Sequence, residues 1–128
     1  MRVNNLKNSE VNIDKAEALR YMGYKSKEVD VDTFKSLNES IAELQEISEL
    51  KYVYRVFDIN KVDNNISFAD KINIKSNDLA NLFINCDKAA VLATTIGFEV
   101  EKRIRYYSMT NLSKSLVFDA CAAAYIEA

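Results

Sequence analysis

Residues 89–128 read AAVLATTIGFEVEKRIRYYSMTNLSKSLVFDACAAAYIEA. Ala89 to Thr94 is an apolar run too short for a free-standing helix, bounded by polar residues and followed by Gly97. Such a run predicts a central strand buried on both faces. Gly97 breaks it. From Phe98 to Tyr107, Val100, Ile104 and Tyr107 share one face, while Glu99, Glu101, Lys102, Arg103 and Arg105 fall mostly on others. This is the pattern of an amphipathic helix. Thr110 is placed to cap a last helix from about Asn111 to the terminus. Leu112, Leu116, Val117, Phe118, Cys121, Ala124, Tyr125 and Ala128 form its apolar face. The stretch therefore reads as strand, turn, helix and helix, with the rest of the chain covering it.

Upstream, residues 1–12 are polar and predict a flexible start. Asp14 predicts a helix N-cap, with Glu17 completing a capping box and Gly23 stopping the helix after Leu19, Arg20 and Tyr21. Asp32 predicts the start of a second helix. Phe34, Leu37, Ile41, Leu44 and Ile47 recur at steps of three and four on its buried face. Glu39, Glu43 and Glu46 point away from that face and read as solvated charges. Lys51–Ile59, KYVYRVFDI, is rich in aromatic and β-branched residues and predicts a strand. Asp63, Asn64 and Asn65 supply turn chemistry. Ile66–Phe68 and Lys71–Lys75 then complete an antiparallel meander. Ser76 is placed to cap a helix ending near Asn85, with Leu79, Leu82 and Phe83 buried. The fold class is α+β: N-terminal helices, a small and mostly antiparallel sheet, and a C-terminal helix pair packed on it. No repeat or linker divides residues 1–128, which read as one domain.

Composition narrows the function classes. The net charge of −2 lacks the basic footprint that nucleic-acid binding needs. No apolar run approaches the ~20 residues that span a membrane. The polar N-terminus lacks the apolar centre of a secretory signal. With no histidine in the chain, Ser–His and Cys–His catalysis and Cys/His zinc sites are excluded. Cys86 and Cys121 sit among apolar or small residues and read as free buried thiols in a reducing, cytoplasmic compartment.

Several features could carry chemistry. Gly97 opens a helix after a strand, where backbone N–H groups favour an anion; its plainer reading is a turn residue. Ala120 to Ala124 are small, so a neighbouring helix or a flat ligand could approach closely. Asp119 and Glu127 lie about two turns apart on one face of that helix, where they could meet a cationic ligand or simply solvate the surface. Arg103, Arg105, Tyr106 and Tyr107 form a basic-aromatic cluster suited to an acidic partner or a phosphate-bearing cofactor, or else a solvated face with one tyrosine turned inward. An enzyme using Cys121 as its nucleophile would need a thiolate stabilised by Arg or Lys. No reaction follows from these residues alone.

AEALRYMGY (16–24), KYVYRVFDI (51–59), CDKAAVLATTIGFEVEKRIRYY (86–107) and LVFDACAAAYIEA (116–128) resemble the vitamin B12-dependent methionine synthase activation domain, most closely its small stand-alone bacterial form. The most specific pieces are Thr95-Ile96-Gly97-Phe98-Glu99 and Asp119 to Glu127. The resemblance implies an accessory role in reductive reactivation. The domain binds S-adenosylmethionine and docks over a cobalamin carried by its partner, the cobalamin-binding module of methionine synthase or a related corrinoid protein. A flavodoxin or ferredoxin-like donor reduces the cobalt, and the cofactors carry the chemistry. Glu127 matches the family's ligand-contacting glutamate. The family's later Arg-x-x-x-Gly-Tyr ligand segment has no counterpart here, so the chain reads as the family's N-terminal part, a fragment or a shortened homologue. A helix cut short would bare apolar surface, making a homodimer a further expectation. The alternative function is a protein-interaction or scaffold module that keeps the fold and has no ligand.

Overall fold

The computed structural model of the protein describes residues 2–24 and 29–128. The elements run β1 (Asn4–Leu6), a 3-10 turn (Asn8–Glu10), α1 (Lys15–Tyr21), α2 (Val31–Ile47), β2 (Leu50–Val62), β3 (Asn65–Phe68), β4 (Ile72–Lys75), α3 (Asn77–Leu82), β5 (Lys88–Thr95), α4 (Phe98–Thr110) and α5 (Leu112–Glu127). The class is α+β, as the sequence patterning indicates. Two compact units are present. One holds Val53–Ala93 with Arg2; the other holds Val3–Tyr52 and Thr94–Ala128.

In the second unit, local signals set the helix ends. The Asp14 carboxylate accepts from the Ala16 and Glu17 amides, while the Glu17 carboxylate pairs with Arg20 instead of reaching back to complete a capping box. At the other end of α1, Gly23 takes φ +92°. Tyr24 N–H then bonds to Leu19 C=O, and Gly23 N–H to Arg20 C=O, a Schellman closure. Helix α2 begins two residues earlier than the Asp32 cap suggests. Asp30 accepts from Thr33 N–H at 2.6 Å and is the N-cap. Both aspartates are chemically fit for the position, and only backbone geometry chooses between them. The same holds for α5, where Asn111 rather than Thr110 is the cap. Thr110 instead donates to Tyr106 C=O.

The core of this unit joins Ala18 of α1, Leu37 and Leu44 of α2, Val100 of α4, and Val117, Phe118, Cys121 and Tyr125 of α5. Helix α5 lies at the centre, packed on α1, α2 and α4. Each large side chain removed from water here stabilises the fold by about 1.5–3 kcal/mol. Leu112 and Leu116, expected on the apolar face, are exposed, as is Phe34. The first residues are better anchored than their polarity suggests. β1 pairs antiparallel with the start of β2. The Asn8 amide donates to Gln45 C=O and Ser48 C=O at 2.6 Å each, closing the end of α2. Tyr125 Oη donates to Asn8 C=O at 3.0 Å.

The other unit is a meander with one helix. β2 pairs with β3, and β3 with β4, both antiparallel. Ala69 and Asp70 have φ of +51° and +57°, and Lys71 N–H bonds to Phe68 C=O. This is a tight turn with two left-handed residues, inside a three-residue loop between the paired Phe68 and Ile72. Ser76 caps α3 through Leu79 N–H at 3.2 Å. The core is small: Ile59, Ile66, Phe68 and Ala89, with Phe57, Leu79 and Phe83 against it. Phe57 and Phe83 meet Phe68 edge to face at centroid distances of 6.1 and 6.3 Å. Leu82 is exposed rather than buried.

Two expectations fail in this unit. β5 is not a central strand. Among the described residues it pairs with β2 alone, and every residue of it except Ala89 is exposed. Cys86 is exposed, and only Cys121 is buried. Periodicity reports which residues are apolar, but not whether a second neighbour covers them.

Candidate functional site

Helix α5 is the element on which the candidate residues meet. Its buried face uses Ala120, Cys121, Ala122 and Ala124, small enough for the helices around it to approach closely. Its outer face carries Leu116, Asp119, Ala123 and Ile126, spaced at steps of three and four. A groove runs on each side of this outer face.

The first groove has a volume of about 330 Å³ and is lined by Thr94, Thr95, Gly97, Glu101, Asp119 and Ala123, among others. Gly97 has φ +100° and ψ 155°. A Cβ there would lie 3.1 Å from Glu49 N and 3.2 Å from Glu49 Cβ. The position thus admits glycine for two reasons, an unfavourable φ and a close backbone. Gly97 N–H turns back to Thr95 Oγ1 at 3.1 Å. The first turn of α4 carries Glu99 and Glu101. Their charges oppose an anion at this helix start, so the groove is suited to a cationic or neutral ligand.

The second groove, about 480 Å³, lies between α1 and α5 and includes Tyr21, Thr33, Leu116, Asp119 and Ala123. Asp119 lines both grooves and is exposed. No hydrogen bond or ion pair holds its carboxylate among the described residues. Glu127 is placed differently. Tyr21 Oη donates to its carboxylate. The Arg20 guanidinium, stacked over the Tyr21 ring at 4.9 Å, is held above its ordinary pKa by Glu17 first and by Glu127 more weakly. Gly97 and Asp119 therefore share a groove, while Glu127 is engaged beside α1.

The basic-aromatic residues separate as well. Arg103 turns to Glu43 of α2, and Tyr107 Oη donates to the same Glu43 oxygen. Lys114 approaches the other oxygen at 3.7 Å and lies 4.4 Å from the centroid of the Tyr107 ring. Glu43 hydrogen bonding, then Tyr107, raises the Arg103 pKa. Tyr107, then the charges of Glu43 and Glu39, raise that of Lys114 against the cost of its burial. Glu43 is thus no solvated charge: it ties α2 to α4 and α5. Arg105 pairs with Glu101 at 2.9 Å on the exposed side of α4. Tyr106 is exposed and meets Tyr107 edge to face at 5.6 Å. Arg103 and Tyr106 border a common depression, of which Arg105 is not part.

Sequence reasoning missed Tyr21 and Lys114 as partners, and misread Glu43. Their contacts span 106 residues for Tyr21–Glu127 and 60 for Glu43–Arg103. No local pattern reports contacts at that separation. Cys121 is fully buried, and burial pushes its thiol up to about 12. A reactive cysteine needs the opposite, a stabilised and accessible thiolate. The Cys121 nucleophile is therefore set aside. Among the described residues no cluster could hold a metal, and no helix is long and apolar enough to cross a membrane.

No family model matches the sequence, and no curated protein matches it. Solved structures do. The crystal structure of the MetH reactivation domain bound to AdoHcy superposes with a TM-score of 0.65 at 14% identity, covering 98% of this chain. The fold is that of the MetH reactivation domain. The chain spans about half the length of that solved chain, 51%. Within that fold, the first groove along α5 is where the candidate residues Gly97 and Asp119 come together.

Proposed function

We propose that this chain is an accessory module for reductive reactivation of a cobalamin-dependent methionine synthase. It takes S-adenosylmethionine along α5 and docks on the corrinoid-carrying module of its partner. The observation that carries this reading is the match of nearly the whole chain to a reactivation domain solved with AdoHcy. Local chemistry agrees. The first groove, at about 330 Å³, lies within the size range of small-molecule sites. A sulfonium is cationic, and Asp119 and Glu101 place carboxylates along the groove. Thr94 and Thr95 offer hydroxyl groups to the ligand's polar groups. Ala122 and Ala123 leave room for a flat ring. Glu127, held by Tyr21, borders the α1 side, where release of that hydrogen bond would free a second carboxylate. S-adenosylmethionine, when bound, supplies the methyl group for cobalt; the chain's residues bind it, orient it and keep its sulfonium near carboxylates. Arg105 and Tyr106, exposed on α4, are the side chains available to a docking partner, with a flavodoxin or ferredoxin-like protein as electron donor.

Calorimetric titration with S-adenosylmethionine tests the binding. We expect measurable heat for the chain and roughly tenfold weaker binding for Asp119→Asn, the loss of one charge contact of about 1.4 kcal/mol. Adding a cobalamin-carrying module and a one-electron donor should then give the methylcobalt absorption spectrum. Absence of both responses overturns the proposal. A second reading, a ligand-free interaction module, is favoured by one feature: Glu127 and Arg103 already have intramolecular partners. It predicts partner binding that S-adenosylmethionine leaves unchanged.

A further inference from the structure

Helices α4 and α5 form a hairpin joined by Asn111 alone. Two kinds of contact hold its arms together. One is apolar: Tyr107 meets Phe118 edge to face at 5.5 Å, and Val100 packs in the same core. Burial of this kind is non-directional and does not by itself fix the rotation of α4 about its axis. The other kind is directional. Ser115 Oγ donates to Ile104 C=O at 3.3 Å. Arg103 and Tyr107 of α4 both reach Glu43 of α2, and Lys114 of α5 approaches the same carboxylate. The Glu43 side chain is only 18% exposed, so solvent screens these bonds less than it screens a surface pair.

Arg103 and Tyr107 are four residues apart and share one face of α4. Glu101 precedes Arg103 by two residues, about 200° around the helix. Holding Arg103 and Tyr107 on α2 therefore turns Glu101 to the opposite side, where it lines the first groove with Asp119 and Ala123. Glu43 also settles a conflict of charge. Arg103 on α4 and Lys114 on α5 are both cations, and without the carboxylate they share they would repel. That repulsion would act across the joint between the two helices that wall the groove. From this we infer that Glu43 is a positioning residue for the first groove: it sets where Glu101 stands relative to Asp119 without touching the ligand. Glu43 itself lines neither groove. The inference deepens the S-adenosylmethionine reading and rests on it for the ligand's identity.

Calorimetric titration of the intact chain with S-adenosylmethionine is the first arm of the test. Glu43→Ala should weaken binding about fivefold, within the range seen for residues that act on a site through their neighbours. Lys114→Met in the Glu43→Ala background should recover part of that loss, because it removes one of the two opposed cations. Ala18→Gly, which lowers stability from α1, should leave the affinity unchanged. The second arm needs no ligand. In a Cys86→Ser background, with Cys121 buried, spin labels at Lys102→Cys and Ile126→Cys report the spacing of α4 and α5. Glu43→Ala should lengthen or broaden that distance. Binding by the wild-type chain that Glu43→Ala leaves unchanged, with the label distance also unchanged, overturns the inference. So does a loss of affinity that Ala18→Gly reproduces. A shifted label distance with no heat from the wild-type chain overturns the ligand reading instead, and supports Glu43 as the residue that sets the groove.

Discussion

The helical unit and the sheet unit treat their apolar residues differently. In the helical unit, α5 is enclosed by α1, α2 and α4, and Phe118 and Tyr125 are almost fully buried. In the sheet unit, four buried side chains make up the core, while Tyr54, Val56, Val91 and Leu92 remain exposed. A helix buries one stripe and needs neighbours only there; a strand apolar on both faces needs covers on two sides. The first requirement is met within this chain. The second is not met among the described residues.

The largest test of this contrast is a pair of truncations. Phe118→Ala should cost about 3–5 kcal/mol in urea unfolding, because it empties a fully packed position beside Tyr107. Val56→Ala, in the sheet unit, should stay within about 0.5 kcal/mol. Equal costs would break the comparison. Next, Gly97→Ala should cost about 2 kcal/mol, since it forces a side chain into a glycine-only conformation and against Glu49. It should also weaken any ligand in the α5 groove. Glu43→Ala removes the shared acceptor of Arg103, Tyr107 and Lys114 and should cost about 1–2 kcal/mol. Glu43→Gln keeps an acceptor for Tyr107 and should cost less. In the sheet unit, Ala69→Gly should stabilise by about 1 kcal/mol, because Ala69 holds a left-handed φ of +51°.

At neutral pH the smallest effect belongs to Cys121. Its thiol stays protonated in the fold, with a pKa of about 12 against an ordinary 9.0. Between those values the unfolded chain loses a proton that the folded chain keeps. Stability should therefore be unaffected below about pH 9 and fall as pH rises from there toward 12. Tyr125, also raised by burial, adds in the same direction. Thiol labelling at mildly alkaline pH should modify Cys86 in the folded protein and reach Cys121 only on unfolding.

Legibility in the sequence followed the range of the interaction. Asp14, Gly23, Ser76 and Gly97 act on backbone within a few residues, and each marks an element end where its chemistry predicts. The register of α2 and α5 slipped by one or two residues because Asp30 and Asp32, or Thr110 and Asn111, are nearly equivalent as caps. Of the candidate site, Gly97 and Asp119 share a groove. The engagement of Glu127 by Tyr21, and of Arg103 by Glu43, left no local trace.

By itself, then, the sequence determined the α+β class, the order of the elements from α1 onward, the amphipathic faces of α2 and α4, and a helix made of small residues. All of these rest on near-neighbour sterics, capping and periodicity, which act within one or two turns. Only the tertiary structure decided that β5 is an edge and not a centre, that Glu43 is a tie and not a solvated charge, and that Asp119 is the unengaged carboxylate beside Gly97. Those outcomes depend on which distant segments arrive alongside, and a residue carries no record of its future neighbours in its own local pattern.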